Sequence, residues 1–194
     1  MAFEHRLRRA VLRPPARVVE DVPHAAVAVI VDADGDLLLM HRAEHPGDPW
    51  SGHLSFPGGR VEPDDPDALH AAIRETREEV GLSLSTSQLL GQLDDLSTRP
   101  VRRHLVIESF VFFGPLHGPF TLNHEAQSVH RVSLDDLLAG VGRSRFAFDY
   151  RGQAVDLPCV DVDGRRLWGL TLRMVDDLLH RLDGRGVGLD RPER

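Results

Sequence analysis

A single cysteine in 194 residues, Cys159, rules out an intramolecular disulfide and any zinc site built on several thiolates. A reducing, cytoplasmic setting is the expectation that follows. Long apolar runs are missing as well. The longest, residues 25–31, is strand-sized and falls far short of the roughly 20 residues that span a bilayer, so no membrane segment is expected. The first twenty residues carry charge but no apolar stretch of the kind that marks a secretory signal. Net positive charge is also absent: 23 Lys and Arg stand against 30 Asp and Glu, a formal −7. That balance argues against broad binding to a nucleic acid backbone. It leaves small anionic substrates open, because a bound divalent metal inverts the sign of the local field.

The rest is the composition of an ordinary globular domain, 41% hydrophobic and 27% charged, long enough for one substantial core. Residues 1–22 read as a basic surface arm carrying Arg6, Arg8, Arg9, Arg13 and Arg17, with Pro14-Pro15 breaking any helix there. A homodimer contact or an anion-attracting flap are its other readings. Residues 23–183 read as the folded domain and 184–194 as a loose tail. Apolar runs and turn residues predict strands over 24–32, 37–42, 89–96, 105–113 and 129–132, and a hairpin over 146–150 and 154–160. Helices are predicted over 66–80, with Asp65 as N-cap and Gly81 as stop, over 134–139 behind Ser133, and over 168–182. In the last, Leu170, Met174, Leu178 and Leu182 recur every four residues; Trp168 and Met174 read as core rather than as a base-stacking platform. Strands on both sides of a mid-chain helix, with another helix near the C-terminus, predict an α/β fold. Its form is an α/β/α sandwich with one mixed sheet between helices.

Chemistry concentrates in residues 74–82. Glu75, Glu78 and Glu79 stand at i, i+3 and i+4, so their carboxylates leave one face of the predicted helix as a cluster. Three like charges this close repel. A hard divalent cation offsets the repulsion, since Mg²⁺ prefers oxygen ligands and keeps waters for phosphates to displace. A solvated acidic face is the plain alternative. The turn in front of the helix favours the metal: Pro57-Gly58-Gly59 lets backbone approach a ligand and leaves a carbonyl free to coordinate. His41, His45 and His53 precede that turn but match no strong zinc-ligand spacing.

Taken together, FPGGRVEPDDPDALHAAIRETREEVGL resembles the signature of the Nudix hydrolases, G-x5-E-x7-R-E-U-x-E-E-x-G-U with U a bulky apolar residue. Arg74-Glu75, Glu78-Glu79, Gly81 and Leu82 match directly. The spacing from Gly59 to Arg74 is one residue longer than the pattern, Asp65 stands in place of the early Glu, and Thr76 replaces a larger apolar residue. Gly58-Gly59-Arg60-Val61-Glu62-Pro63-Asp64-Asp65 is similar to the opening found in the branch of coenzyme A pyrophosphatases. That branch also has an upstream motif, which Leu38-Leu39, Arg42-Ala43, Gly52 and Phe56-Pro57-Gly58-Gly59 match. Gly47 stands where the motif has a second Arg, and the loop is one residue longer. Leu167-Trp168-Gly169-Leu170-Thr171 resembles the segment that begins the last helix of the branch.

The resemblance implies Mg²⁺- or Mn²⁺-dependent attack of water on a diphosphate in a small nucleotide-derived substrate, coenzyme A or an acyl-coenzyme A first. It implies metal ligation by Glu75, Glu78, Glu79 and the Gly58 carbonyl, with Arg74 organising the carboxylates. Glu125 lies where family members place a further ligand or general base; a solvated loop Glu is its other reading. Arg42, Arg60 and Trp50 are candidate substrate contacts. ADP-ribose, nucleotide sugars and nucleoside triphosphates are the alternative substrates. A non-catalytic nucleotide sensor on the same scaffold is a third reading, against which all three glutamates are present.

Overall fold

The computed structural model describes residues 2–44, 51–98, 104–116, 118–150 and 152–183. The chain opens with helix α1 (Ala2–Val11) and the hairpin β1 (His24–Val31) and β2 (Asp36–Arg42). Short strands β3 (Leu54–Ser55) and β4 (Gly58–Arg60) lead into α2 (Ala68–Val80). After it come β5 (Leu89–Gln92), β6 (Leu96–Ser97), β7 (Val106–Phe113), β8 (Ala126–Ser133) and α3 (Leu134–Leu138). The chain continues through β9 (Arg143–Tyr150), β10 (Gln153–Val162), β11 (Arg165–Trp168) and α4 (Gly169–Asp183).

Among the described residues, eight strands form a mixed sheet in the order β3-β2-β1-β7-β5, with β4 beside β1, β6 beside β7 and β8 beside β2. Among these described strands only the β1–β7 pairing is parallel. Strand alternation splits its apolar side chains between two faces. On one, Val29, Val31, Leu37 and Leu39 pack with Leu7 and Val11 of α1 and with Leu172, Val175 and Leu179 of α4. On the other, Ala26, Ala28, Ile30, Leu38 and Met40 pack with Ala71, Ala72 and Val80 of α2. The α/β sandwich with a mixed sheet is therefore present. The expected single sheet is two: β9, β10 and β11 form a separate antiparallel sheet.

Three local readings are corrected. Residues 1–22 are not a bare surface arm. Phe3, Leu7, Ala10 and Val11 make an apolar stripe that folds as a helix ahead of Pro14, and Leu7 and Val11 are buried. The extended segment behind it is pinned: Ala16 N–H donates to Asp94, Val18 N–H to Asp95, and Arg13 and Arg17 pair with Asp94 and Glu108. The cap of α2 is Asp67, which accepts from His70 N–H at 2.9 Å, not Asp65. The last helix begins at Gly169, and Trp168 closes β11 instead. The tail, 184–194, lies outside the described residues.

Candidate active site

Helix α2 approaches the sheet closely because both surfaces are small. Ala71 and Ala72 face Ala26 and Ala28, and the glycines of β4 lie alongside. At Gly58, φ is 149°, and a Cβ would fall on the Ala26 carbonyl oxygen and 2.6 Å from the Val27 Cα. At Gly59, a Cβ would fall within the Glu75 carboxylate. The two glycines are thus what allows the helix to lay carboxylates against backbone. Thr76, where a larger apolar residue is usual, is fully buried and returns its hydroxyl to the Ala72 carbonyl at 2.7 Å.

Glu79 is buried at 1% exposure and accepts the Gly58 N–H at 2.8 Å. In the β1–β4 pairing, Val61 N–H donates to His24 O and Ala28 N–H to Pro57 O. Val27–Gly58 therefore falls on a rung between bonded rungs, where backbone groups point away from the partner strand. The Gly58 carbonyl lies outside that ladder. Burial pushes the Glu79 carboxyl up to about 8; the Gly58 N–H and Arg42 pull it down, while Glu75 and Glu125 push it up further. Burial likewise raises Glu75, against the pull of Arg74. Charge on these two groups is disfavoured where they sit, and they repel one another.

Arg74 holds the cluster's outer side. It grips Asp65 with a two-pronged fork, Nε to Oδ1 at 3.0 Å and Nη2 to Oδ2 at 2.9 Å. It also donates to Glu75 at 2.9 Å, to Glu78 at 3.5 Å and to the Arg60 carbonyl at 3.2 Å. These bonds hold Asp65 well below the usual carboxylate range and keep Arg74 firmly protonated. The Asp65 fork spans nine residues across a loop, which helical spacing does not reveal.

Glu125 is placed by the C-terminal end of α2. Gly81, in the left-handed region at φ 73°, ends the helix, and Thr121 and Asn123 N–H groups cap the Val80 and Glu79 carbonyls. Asn123 then accepts the Glu125 N–H at 2.8 Å, and the Glu125 carbonyl accepts from Ala43 at 2.7 Å. Its side chain is half exposed, and its charge reaches both Glu75 and Glu79. Glu78 is also half exposed, on the rim beside Arg74.

The structure thus brings Glu75, Glu79, Gly58, Gly59, Arg74, Arg42 and Glu125 into one neighbourhood. Arg42 is present through its charge on Glu79. Arg60 is exposed, and among the described residues its guanidinium makes no ion pair with the glutamates. Trp50 lies outside the described residues. No three of the described carboxylates and imidazoles are already grouped to hold a metal; Arg74 engages Glu75 and Glu78, and Glu79 faces Gly58. Sequence reading missed a second cluster, in which Trp168 packs against His53, Phe146 and Phe148. Alternation along β9 marked those phenylalanines as sharing a face.

A NUDIX domain model matches residues 22–150. The mitochondrial coenzyme A diphosphatase NUDT8 of Mus musculus is 31% identical over 174 residues, covering 87% of this chain and 82% of that protein. The Homo sapiens protein of the same name is 32% identical over 189 residues, covering 92% and 78%. The uncharacterized Nudix hydrolase NudL of Yersinia pestis (strain Pestoides F) is 29% identical over 167 residues, covering 80% and 77%. Among solved structures, the MutT protein from Methanosarcina mazei Go1 superposes with a TM-score of 0.57 at 20% identity, covering 89% of this chain and 96% of that one, a likeness of fold.

Proposed function

The chain belongs to the Nudix family and is a pyrophosphohydrolase, and from that premise we propose that it hydrolyses the diphosphate of coenzyme A or an acyl-coenzyme A with a divalent cation, Mg²⁺ or Mn²⁺. The observation that carries the cation is the pair Glu75 and Glu79, held against Gly58-Gly59 with their charge disfavoured by burial and mutual repulsion. An all-oxygen donor set of glutamates and a carbonyl fits a hard divalent ion. Glu75, Glu78, Glu79 and the Gly58 carbonyl would hold it. When bound, the ion lowers the pKa of water and neutralises charge on the phosphoryl oxygens.

The chain's own residues supply the rest. Arg74, anchored on Asp65, holds Glu75 and Glu78 in place by donating to both. Glu125, whose backbone is tethered to Asn123 and Ala43, would serve as a further ligand or as general base. Arg42 and Arg60 offer guanidinium to the substrate's phosphates, with Trp50 as a third contact. Coenzyme A comes first among substrates because the relatives named as its diphosphatases cover most of this chain.

A small-molecule substrate and no nucleic acid complete the reading, with a homodimer as the alternative role of the N-terminal arm. Among the described residues no helix is long and apolar enough to cross a membrane. Cytoplasmic placement is proposed from the single cysteine, buried and unbridged, beside relatives whose names place them in mitochondria.

Turnover of coenzyme A, ADP-ribose, dinucleoside polyphosphates and nucleoside triphosphates, each with Mg²⁺ and with EDTA, tests this reading. Coenzyme A is expected to turn over fastest and only with metal. Turnover of ADP-ribose with coenzyme A inert overturns the substrate, and undiminished turnover in EDTA overturns the cation.

A further inference from the structure

We propose that the aromatic face of the β9–β10–β11 sheet is the subsite for the substrate's nucleobase. The proposal rests on the reading of this chain as a hydrolase of nucleotide-derived diphosphates.

Pairing register divides this small sheet into two faces. Val160, Val162 and Leu167 look into the core. The other face carries Phe146 and Phe148 of β9, Leu157 and Val155 paired opposite them, and Trp168 of β11. Phe146, Phe148 and Trp168 are only half-buried there, and Val155 is exposed. Three rings surround the indole: His53 at 4.8 Å, Phe148 at 5.0 Å and Phe146 at 5.3 Å between centroids. Their planes cross that of the indole at 66°, 45° and 82°, so none of the three stacks parallel on it. A flat heteroaromatic ring laid parallel on the indole would add the stacked contact that none of the three makes.

Continuity with the glutamates fixes the occupant. His53 accepts the Arg42 N–H through its carbonyl at 3.0 Å while its ring packs on Trp168. The residue after Arg42, Ala43, donates its N–H to the Glu125 carbonyl at 2.7 Å. One strand pairing therefore joins the carboxylate cluster to the aromatic face, and a molecule whose base is joined through a ribose to a diphosphate matches that order. The Arg166 guanidinium lies 4.8 Å over the Phe146 ring and adds a cation at the edge, complementary to an anionic nucleotide.

Calorimetric titration with AMP reads the subsite without turnover. Trp168→Leu and Phe148→Leu are each expected to weaken AMP about tenfold, the scale of one base stacked on one ring. Trp168→Phe is expected to keep most of the affinity, and inorganic diphosphate to bind all three variants like the parent. In turnover, the two leucine variants raise KM and leave kcat unchanged. Parental AMP affinity in both leucine variants overturns the proposal, as does an equal loss for AMP and diphosphate. If Trp168→Leu does not fold, Phe148→Leu decides. If that variant instead converts a dimer to a monomer in sedimentation with KM unmoved, the face joins two copies and the proposal fails. AMP binding that depends on Trp168 in a parent inert toward coenzyme A sinks the substrate assignment above and leaves this subsite standing.

Discussion

Glu78→Gln is expected to lower kcat by on the order of 10³-fold at saturating Mg²⁺, the scale of losing one charge-stabilising group, with the melting temperature unmoved. The side chain is 48% exposed and meets Arg74 only at 3.5 Å, while Arg74 keeps its shorter bonds to Asp65 and Glu75. Surface changes of this kind stay within about 0.5 kcal/mol. Retained activity would sink the metal assignment. Glu79→Gln separates the two quantities differently. Burial lifts this carboxyl from the usual 4.5 to about 8, so the fold prefers its neutral form. Stability of the parent therefore falls as pH rises from 4.5 toward 8 and levels off above. Glu79→Gln is expected to be inactive and yet, in EDTA, to melt above the parent, by most at pH near 9 and by nothing near pH 4. A lower melting point at pH 9 would show that the ionised carboxylate is needed for folding itself.

How much of this was legible follows from the range of each interaction. Glu75, Glu78 and Glu79 share a helix face by spacing alone, and Gly81 marked the helix end because only glycine rests easily in the left-handed region. The positions of the longer strands β1, β2, β7, β9 and β10 were readable for the same local reason. The short β3, β4 and β11 were not, and 89–96 reads as one strand where β5 and β6 are two. What escaped depends on contacts between distant segments. Asp65 reads as a cap because it lies just ahead of the helix, yet its carboxylate is taken by Arg74, nine residues on, and Asp67 caps instead. The stripe Phe3, Leu7, Ala10, Val11 was overshadowed by the arginines between its members and by Pro14-Pro15, which lie beyond the helix and do not interrupt it. The division of β9–β11 into a second sheet follows from how the pieces pack, and periodicity says nothing of it. Glu75, Glu78 and Glu79 share a face in sequence, but burial sets them apart: Glu79 beneath the helix, Glu78 on its rim.

The adjacent glycines give the test with the sharpest contrast. Gly58→Ala is expected to destabilise the protein by about 3 kcal/mol or more, adding overpacking of about 1–3 kcal/mol to backbone strain of about 1–3 kcal/mol. Its Cβ would enter the Ala26 carbonyl and the Val27 backbone, neither of which can step aside within a paired strand, and φ at 149° is one that alanine rarely adopts. Moving β4 outward would also take the Gly58 N–H from Glu79, leaving a buried carboxylate without its donor. Gly59→Ala meets a different obstacle. The three atoms nearest its Cβ all belong to the end of the Glu75 side chain, which can rotate away. That variant is expected to keep its melting temperature within a few degrees and to lose activity by on the order of 10²-fold, because a carboxylate displaced by even 1 Å no longer meets its partners. Denaturation midpoints and kcat measured side by side decide the matter. If Gly59→Ala retains full turnover, Glu75 is not where the chemistry happens, and if Gly58→Ala folds like the parent, the close seating of β4 against β1 is not what holds the helix over the site.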